Sequence, residues 1–381
     1  MPVLARHTPV GERVDLGKLY RPVARTELHS PLLSRWTPFG SGTMALAAAL
    51  SFAARGQPAG TPVALPAYSC PDIAAAALFA RLPISYVDLL PEQTGIDPVR
   101  LDATLGAGAR IAVLVDLFGT HGSLAEAREL TDRHHAVLIH DRAQSLAGPG
   151  LETDRTAEFI IVSRGRGKPA TLLGGGATWA RNAEQFAAFA TMEFPLATWS
   201  LPATMLRAGL YNLVTQPLLY GTVSQLPFLH IGETRLQPLA GISRLPQHWL
   251  IHASRQLKHQ LALLRQRREQ TLAVVDLIPA TGFRIPADAL KTAAIDGLNR
   301  LPVLCRDADQ ARQLVAQGAH LGISPMYGQT LPEFLGMSAA EAATAYPAAY
   351  RFSRTVVTVP THTRINAGVR RKLRELFRNA N

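Results

Sequence analysis

Residues 159–169 read FIIVSRGRGKP, an apolar run followed by a turn of glycine and arginine that ends at a lone lysine. The apolar run predicts a buried strand, and residues that follow such strands in α/β sheets lie where ligands bind. An amine attacks a carbonyl when its charge is disfavoured, and the adjacent cations of Arg164 and Arg166 disfavour the charge of Lys168. Lys168 is therefore a candidate Schiff-base lysine, and the alternative is a surface lysine in a basic loop.

The composition indicates a globular protein with a large core. The chain has 381 residues, of which 47% are hydrophobic and 18% charged, enough for two domains or for one large α/β unit with an appendage. Its two cysteines, Cys70 and Cys305, lie far apart and form no CxxC motif, which argues against a disulfide framework and a structural zinc site. With no apolar signal segment and no uninterrupted apolar stretch of membrane-spanning length, we expect a cytoplasmic protein.

The formal net charge of +11 permits nucleic-acid binding, but the basic residues are spread along the chain. No zinc-finger, RRM-like or helix-turn-helix signature is present, and the basic run Arg370-Arg371-Lys372 is typical of the solvated face of a last helix. We therefore expect an anionic small molecule, and no nucleic acid, as the binding partner.

Short apolar runs alternate with helical patterns between residues 40 and 180, which predicts a mostly parallel sheet with helices on its faces. The strand candidates are 61–66, 83–88, 110–116, 136–140 and 159–163, and the helix candidates between them are 43–54, 71–81 and 124–134. Ligands of such sheets bind outside the carboxyl ends of the strands, so the residues just after each run are the candidate site.

Two sequence features are candidates for a ligand site of this kind. Ser41-Gly42-Thr43 opens a helix with small residues that let backbone N–H groups approach a phosphate, and the alternative is an ordinary Ser/Thr N-cap. Asp141 follows the strand at 136–140, where its carboxylate could hold a protonated ring nitrogen or cap the next turn.

The segment from 195 to 230 is apolar, and Arg207 is its one formally charged residue. Three prolines interrupt it, so it predicts burial in the protein first, with a dimer interface or peripheral membrane contact as alternatives. Residues 247–277 then read as one long helix that leads to a second, smaller α/β domain. The expected organisation is an N-terminal segment at 1–37, a large domain at 38–245 and a linker helix with a small domain at 246–381.

A nucleotide-binding P-loop does not fit at the lysine, because Val162 stands five residues before Gly167 and Pro169 follows Lys168. The ordered set of segments resembles instead the DegT/DnrJ/EryC1/StrS family, whose members are fold-type I, aspartate aminotransferase-like enzymes that use pyridoxal 5′-phosphate (PLP). The segments are 40–46 (GSGTMAL), 66–71 (PAYSCP), 93–97 (QTGID), 116–119 (DLFG), 140–144 (HDRAQ), 163–168 (SRGRGK), 174–176 (GGG) and 359–362 (VPTH).

The resemblance assigns a role to each matching residue. Lys168 would form the Schiff base with the cofactor and move the substrate proton, and Asp141 would keep the pyridine nitrogen protonated. Gln144 would lie beside the cofactor ring. Ser163 would anchor the phosphate together with Ser41, Gly42 and Thr43, in agreement with the preference of a dianion for a helix start and a hydroxyl.

The chain departs from the family at several positions. Cys70 stands where an aromatic residue commonly covers the ring, with Tyr68 two residues earlier, so either side chain could take that place. The turn before Lys168 is basic, and we expect Arg164 or Arg166 to contact an anionic group of a substrate. Further candidates are Tyr327 and His362 near the substrate, each with a structural alternative, and Asn212 as the residue contributed by a partner subunit.

The resemblance implies an aminotransferase that moves an amino group from an amino acid, glutamate by expectation, to a keto sugar linked to a nucleotide, and that works as a homodimer. Other chemistry on PLP, such as a dehydration, is the second hypothesis, although the dehydratase branch would have a histidine in place of Lys168. The third is a catalytically weakened homologue with a regulatory or scaffolding role.

Overall fold

The computed structural model describes residues 7–9, 11–17, 23–28, 30–149, 156–223 and 234–380. Within these ranges the strands form a seven-stranded sheet and a three-stranded sheet. The strands of the large sheet are β1 (Trp36–Phe39), β2 (Val63–Pro66), β3 (Ile84–Val87), β4 (Ile111–Val115), β5 (Val137–Asp141), β6 (Phe159–Ser163) and β7 (Gly176–Ala180). Their order is β1-β7-β6-β5-β4-β2-β3.

The centre of the large sheet is parallel from β3 to β6, and β7 and β1 complete one side as antiparallel strands. β6 is buried along its whole length, which explains why its sequence is a continuous apolar run rather than an alternating one. The predicted strands agree with β2 to β6 to within two residues at each end. The sequence did not predict β1 and β7, because Pro38 and Gly176 are unfavourable in strands and mask the pattern.

Helices cover both faces of the sheet and continue through the rest of the chain. They are α1 (Arg25–Leu28), α2 (Gly42–Ala54), α3 (Pro71–Phe79), α4 (Pro98–Gly106), α5 (Leu124–Arg133), α6 (Ala183–Ala190), α7 (Leu201–Val214), α8 (Pro217–Val223), α9 (Trp249–Ala262), α10 (Leu264–Val275), α11 (Ala287–Ile295), α12 (Ala308–Gly318), α13 (Leu331–Phe334), α14 (Ala339–Ala345), α15 (Pro347–Thr355) and α16 (Ala367–Asn379). The small side chains of α2 and α3 are buried in the main core, so both helices pack closely on each other and on the sheet.

The second sheet consists of β8 (Phe283–Arg284), β9 (Arg300–Cys305) and β10 (Val356–Pro360), all antiparallel, with a separate hydrophobic core. α9 and α10 lead to it from the large sheet. The sequence predicted one continuous helix here, and the structure instead has a break at Leu263, whose backbone leaves the helical region (φ −94°, ψ 5°).

Part of the apolar segment at 195–230 forms α7 and α8, and residues 224–230 lie outside the described residues. The expectation of burial is wrong for the described leucines of this segment, none of which is buried: Leu206, Leu210 and Leu213 are 76%, 59% and 55% exposed. None of the helices in the described ranges combines the length and the apolar character that a membrane crossing requires.

Candidate active site

The carboxyl ends of β4, β5 and β6 bring three polar side chains to one edge of the sheet. Asp116 follows β4, Asp141 ends β5 and Ser163 ends β6, and all three are buried. Val115 pairs with Asp141 across the parallel strands, and the backbone N–H of Asp116 donates to the Asp141 carbonyl at 2.9 Å. The two carboxylates are therefore neighbours.

The Asp141 carboxylate has few partners for a buried acid. Among the described residues, the backbone N–H of Ala143 is its one hydrogen-bond donor, at 2.9 Å. Burial raises the pKa of Asp141 above its usual value, while the Ala143 hydrogen bond and the nearby charge of Lys168 partly oppose that rise. The Asp116 charge adds to it. A buried carboxylate in this condition attracts a cation or an N–H donor.

Asp116 has the opposite environment. Its Oδ1 lies 2.7 Å from His140 Nε2, while its Oδ2 accepts from Ser145 Oγ at 2.5 Å and from Arg142 Nε at 3.2 Å. Burial alone would raise the pKa of Asp116, but the charge and hydrogen bond of His140, the imidazole of His121 at 3.8 Å and the charge of Arg142 hold it well below its usual value. The sequence reasoning missed this network, which spans residues 116–145 and has no local signature.

The start of α2 lies against the end of β6. A Cβ atom on Gly42 would stand 2.7 Å from the Cβ and 3.0 Å from the Oγ of Ser163, so glycine is needed for this approach. Ser41 is the N-cap and accepts from the Met44 N–H at 3.1 Å, which agrees with the N-cap alternative. The first-turn N–H groups of Gly42 and Thr43 have no carbonyl within the helix, and together with the nearby Ser163 hydroxyl they form a corner of hydrogen-bond donors, the α2 corner.

Hydrogen bonds from the residues that follow Lys168 hold the backbone of the residues that precede it. Thr171 Oγ1 donates to the carbonyls of Arg164 at 3.1 Å and Gly165 at 2.8 Å. Lys168 itself is half-buried, and its charge acts on both Asp141 and Cys70. The structure therefore brings Lys168, Asp141 and the α2 corner to the same edge of the sheet.

Asn299 is a further contact of this turn that sequence reasoning missed. Its side-chain Nδ2 donates to the carbonyl of Gly167 at 3.2 Å, one residue before the lysine. Its backbone N–H donates to the Phe118 carbonyl at 3.0 Å. Asn299 precedes β9, so it links the small sheet to the lysine turn over a sequence distance that no motif reveals.

The two arginines of the turn differ. Arg164 is fully buried and donates to the carbonyls of Ala147 at 2.6 Å and Ser163 at 3.2 Å, and burial lowers its pKa to about 10. This is an internal structural role, unlike the substrate contact expected for one of the pair. Arg166 is exposed, so it is the arginine that a ligand can reach.

Tyr68 and Cys70, the two candidates for covering the cofactor ring, have different environments. The Tyr68 ring is buried in a cluster with Tyr327 and Phe352, at centroid distances of 5.4 and 5.1 Å. Cys70 precedes α3 and is only partly buried, and its thiol lies in the electrostatic range of Lys168 and Asp141. Burial raises the pKa of Cys70 to about 12, so the thiol is neutral.

Gln144 and Tyr327 form one buried unit. Gln144 Oε1 accepts from the Phe118 N–H at 3.2 Å, and its Nε2 donates to the Tyr327 hydroxyl at 3.0 Å. Burial raises the pKa of Tyr327 well above its usual value, and the nearby Cys70 adds to the effect. Tyr327 therefore lies at the edge of the candidate site with its hydroxyl protonated.

Asn212 and His362 bind the N-terminal segment. The Asn212 side chain accepts from the Val14 N–H at 3.0 Å and donates to the Val14 carbonyl at 2.9 Å. His362 is buried with Nε2 2.9 Å from the Pro9 carbonyl, and burial lowers its pKa to about 4. Both contacts are structural, which favours the structural alternative for His362 and occupies the Asn212 amide within its own chain.

The fold is that of the fold-type I sugar aminotransferases. A sugar aminotransferase from Micromonospora echinospora superposes with a TM-score of 0.65 at 18% identity over 100% of both chains. The PseC protein of Helicobacter pylori, an aminotransferase of pseudoaminic acid biosynthesis, has a TM-score of 0.69 at 14% identity over 99% of this chain and 98% of its own. The NtdA protein of Bacillus subtilis, solved with bound pyridoxamine phosphate (PMP), has a TM-score of 0.62 at 14% identity over 97% and 85%.

Residues 37–192 match the model of the DegT/DnrJ/EryC1/StrS aminotransferase family. A curated relative, the L-glutamine:2-deoxy-scyllo-inosose aminotransferase of Streptomyces kanamyceticus, is 30% identical over 130 residues. The match spans 34% of this chain and 30% of the relative.

Proposed function

We propose that the protein is a PLP-dependent aminotransferase that moves an amino group from an amino acid to a keto sugar. The buried Asp141 carboxylate carries this proposal, because it has one backbone donor among the described residues and lies beside Lys168. A protonated pyridine nitrogen supplies the partner that such a carboxylate lacks. The family match and the PMP-bound structural relative support the same cofactor.

The residues present fit PLP. The corner of Gly42, Thr43 and Ser163 would hold the phosphate, Asp141 the ring nitrogen and Lys168 the aldehyde carbon. Gln144 would lie at the ring as part of the unit that it forms with Tyr327. Cys70, rather than Tyr68, is at the position from which a side chain would cover the ring, because Tyr68 is enclosed among aromatic side chains.

When bound, PLP supplies an electron sink that stabilises negative charge at the substrate carbon. The chain's own residues do the rest. Asp141 would accept from the ring N–H of bound PLP and so keep the proton on the ring nitrogen. Lys168 Nζ would move the proton between the substrate carbon and the cofactor carbon that carries the amino group. The hydrogen bonds of Thr171 and Asn299 orient the turn that carries this lysine.

The expected acceptor is a keto sugar, nucleotide-linked by family resemblance, and the net charge of +11 attracts such an anion. Arg166 is the candidate contact for an anionic group. The donor is glutamate or glutamine, since the curated relative is named for glutamine. The exposed leucines of α7 favour a homodimer, which light scattering on the PLP-loaded protein tests.

The decisive experiment maps the amine that binds PLP. The protein is loaded with PLP, reduced with borohydride and digested, and the pyridoxyl group is located by mass spectrometry. We expect it on Lys168 in the wild type and in the control Lys258→Ala, whose lysine is exposed on α9, and we expect no labelled peptide in Lys168→Ala. Labelling of Lys168→Ala at wild-type stoichiometry would refute the assignment.

The reaction type is tested on the same preparation. Addition of glutamate or glutamine should bleach the visible absorption of bound PLP as the amino group is transferred, and a keto acid should restore it. A visible band that neither amino acid changes would exclude a transaminase with these donors while leaving PLP binding intact.

A further inference from the structure

A cavity of about 680 Å³ lies outside the candidate active site. The turn after β3, with residues 88–100, forms one wall, and β8, the end of β9 and the start of α15 form the other. The cavity thus opens between the large and small sheets. Its volume is in the range of small-molecule sites in proteins.

Four guanidinium groups surround the cavity. They belong to Arg100 on α4, Arg284 on β8, Arg306 after β9 and Arg351 on α15. Arg100 has no ion pair in the part of the chain that the structure describes. Arg306 lies 3.3 Å from the exposed Asp307, a pair that solvent weakens.

Three carboxylates line the cavity, and two of them accept hydrogen bonds from backbone N–H groups. Asp88 accepts from the amides of Leu89, Ala348 and Ala349, at 2.8 to 3.1 Å. Asp97 is the N-cap of α4 and accepts from the amides of its first turn. Both acids are thereby stabilised by helix starts, and neither is directed to a guanidinium.

Glu92 is the third carboxylate, and it holds two of the arginines across the cleft. Its oxygens lie 2.5 Å from Arg284 and 3.7 Å from Arg351. The backbone of Glu92 is in the left-handed region at φ 59°, a conformation that costs free energy in a residue with a side chain. Among the described residues, this one strained residue is thus the side-chain counter-ion of both Arg284 and Arg351.

The remaining walls are apolar. Phe283, Leu304 and Phe352 line the cavity, and the Phe352 ring also contacts Tyr68 at a centroid distance of 5.1 Å. Phe352 therefore stands between the cavity and the lysine site. A ligand with a flat apolar part and two or more negative charges matches these walls.

We propose that this cavity binds a nucleoside diphosphate, with the diphosphate on the arginines and the base against the apolar wall. Several guanidiniums at one cavity match the charge of a diphosphate, and their fork geometry suits phosphate oxygens. The site is separate from the lysine turn and does not depend on the proposed function. Bound diphosphate would take the place of Glu92 as the counter-ion of Arg284 and Arg351, and so link the turn after β3 to the small sheet.

Equilibrium binding to the PLP-loaded protein tests the proposal, with ADP, UDP and inorganic pyrophosphate as probes and saturating PLP to fill the α2 corner. The double variant Arg100→Gln/Arg306→Gln should weaken ADP and UDP roughly tenfold or more. Glu92→Gln should tighten both, because it frees Arg284 and Arg351. The control Arg265→Gln, on exposed α10, should leave binding unchanged.

Stronger binding of ADP or UDP than of pyrophosphate supports the nucleotide assignment, and equal binding assigns the cavity to the diphosphate alone. The arginine double variant should weaken binding, whereas Glu92→Gln should tighten it. A folding defect could explain only weaker binding, so tighter binding by Glu92→Gln cannot come from misfolding. Absence of saturable binding by all three probes overturns the proposal, as does equal weakening in Arg265→Gln. Mapping of PLP to Lys168 is unaffected by either result, so the two proposals fail separately.

Discussion

Asp116 and Asp141 lie side by side at the carboxyl ends of adjacent strands, and both are buried, yet their surroundings differ. Asp116 has His140, Arg142 and Ser145 within hydrogen-bond distance, and its pKa is held well below the usual value. Asp141 has one backbone donor among the described residues, and burial raises its pKa.

This difference indicates that, at this edge of the sheet, Asp116 has a structural role and Asp141 a functional one. Asp116 is satisfied by the protein itself, so it contributes to stability. Asp141 is buried with a raised pKa and has capacity for another partner, which is the property of a ligand-binding carboxylate. Substitution of each aspartate by asparagine therefore tests the comparison, because the two variants should fail in different ways.

The largest expected effect is on stability in Asp116→Asn. Loss of the charge leaves Arg142 half-buried without its counter-ion and removes the charged partner of the buried His140, which typically costs about 3–5 kcal/mol in the free energy of unfolding. Urea unfolding of the PLP-free protein measures it. The control is Asp296→Asn at the exposed end of the same network, which should cost roughly 1 kcal/mol or less. Equal losses in both variants would contradict a special role for Asp116.

The second effect is on catalysis in Asp141→Asn. Without the carboxylate the ring nitrogen loses its counter-ion, and the turnover number should fall roughly 10²–10³-fold. The stability of the PLP-free variant should equal or exceed that of the wild type, because the substitution removes a buried charge whose pKa is raised. Turnover and urea unfolding measured together check both signs. A large loss of stability with unchanged turnover would assign Asp141 to the structural class of Asp116.

The sequence was sufficient for the central sheet and for the residues that follow its strands. Short apolar runs mark β2 to β6, and that local signal predicted Asp141, Ser163 and Lys168 at one edge. The N-cap at Ser41 was equally visible, because capping depends on a few adjacent residues.

What escaped prediction depends on contacts between distant segments. Asn299 reaches Gly167 across 132 residues, and no local pattern indicates it. The buried Arg164 donates to the distant Ala147 carbonyl, whereas the sequence predicted that Arg164 or Arg166 contacts a substrate. Asn212 pairs with Val14 for the same reason: the N-terminal segment returns to α7 only in the folded protein.

The smallest effect sharpens the comparison from the Asp116 side through pH. The Asp116 and Asp296 carboxylates raise the pKa of His121 to about 9, above its usual 6.5. A histidine with a raised pKa stabilises the folded state fully below about pH 6.5, and this stabilisation is lost as the pH rises through 9. His121 is 38% exposed, so after solvent screening we expect about 1 kcal/mol. His121→Gln should lower the melting temperature at pH 6 and have little effect at pH 9.5. An equal decrease in melting temperature at both pH values would show that the His121 imidazole stabilises the protein by packing and not through its charge beside Asp116.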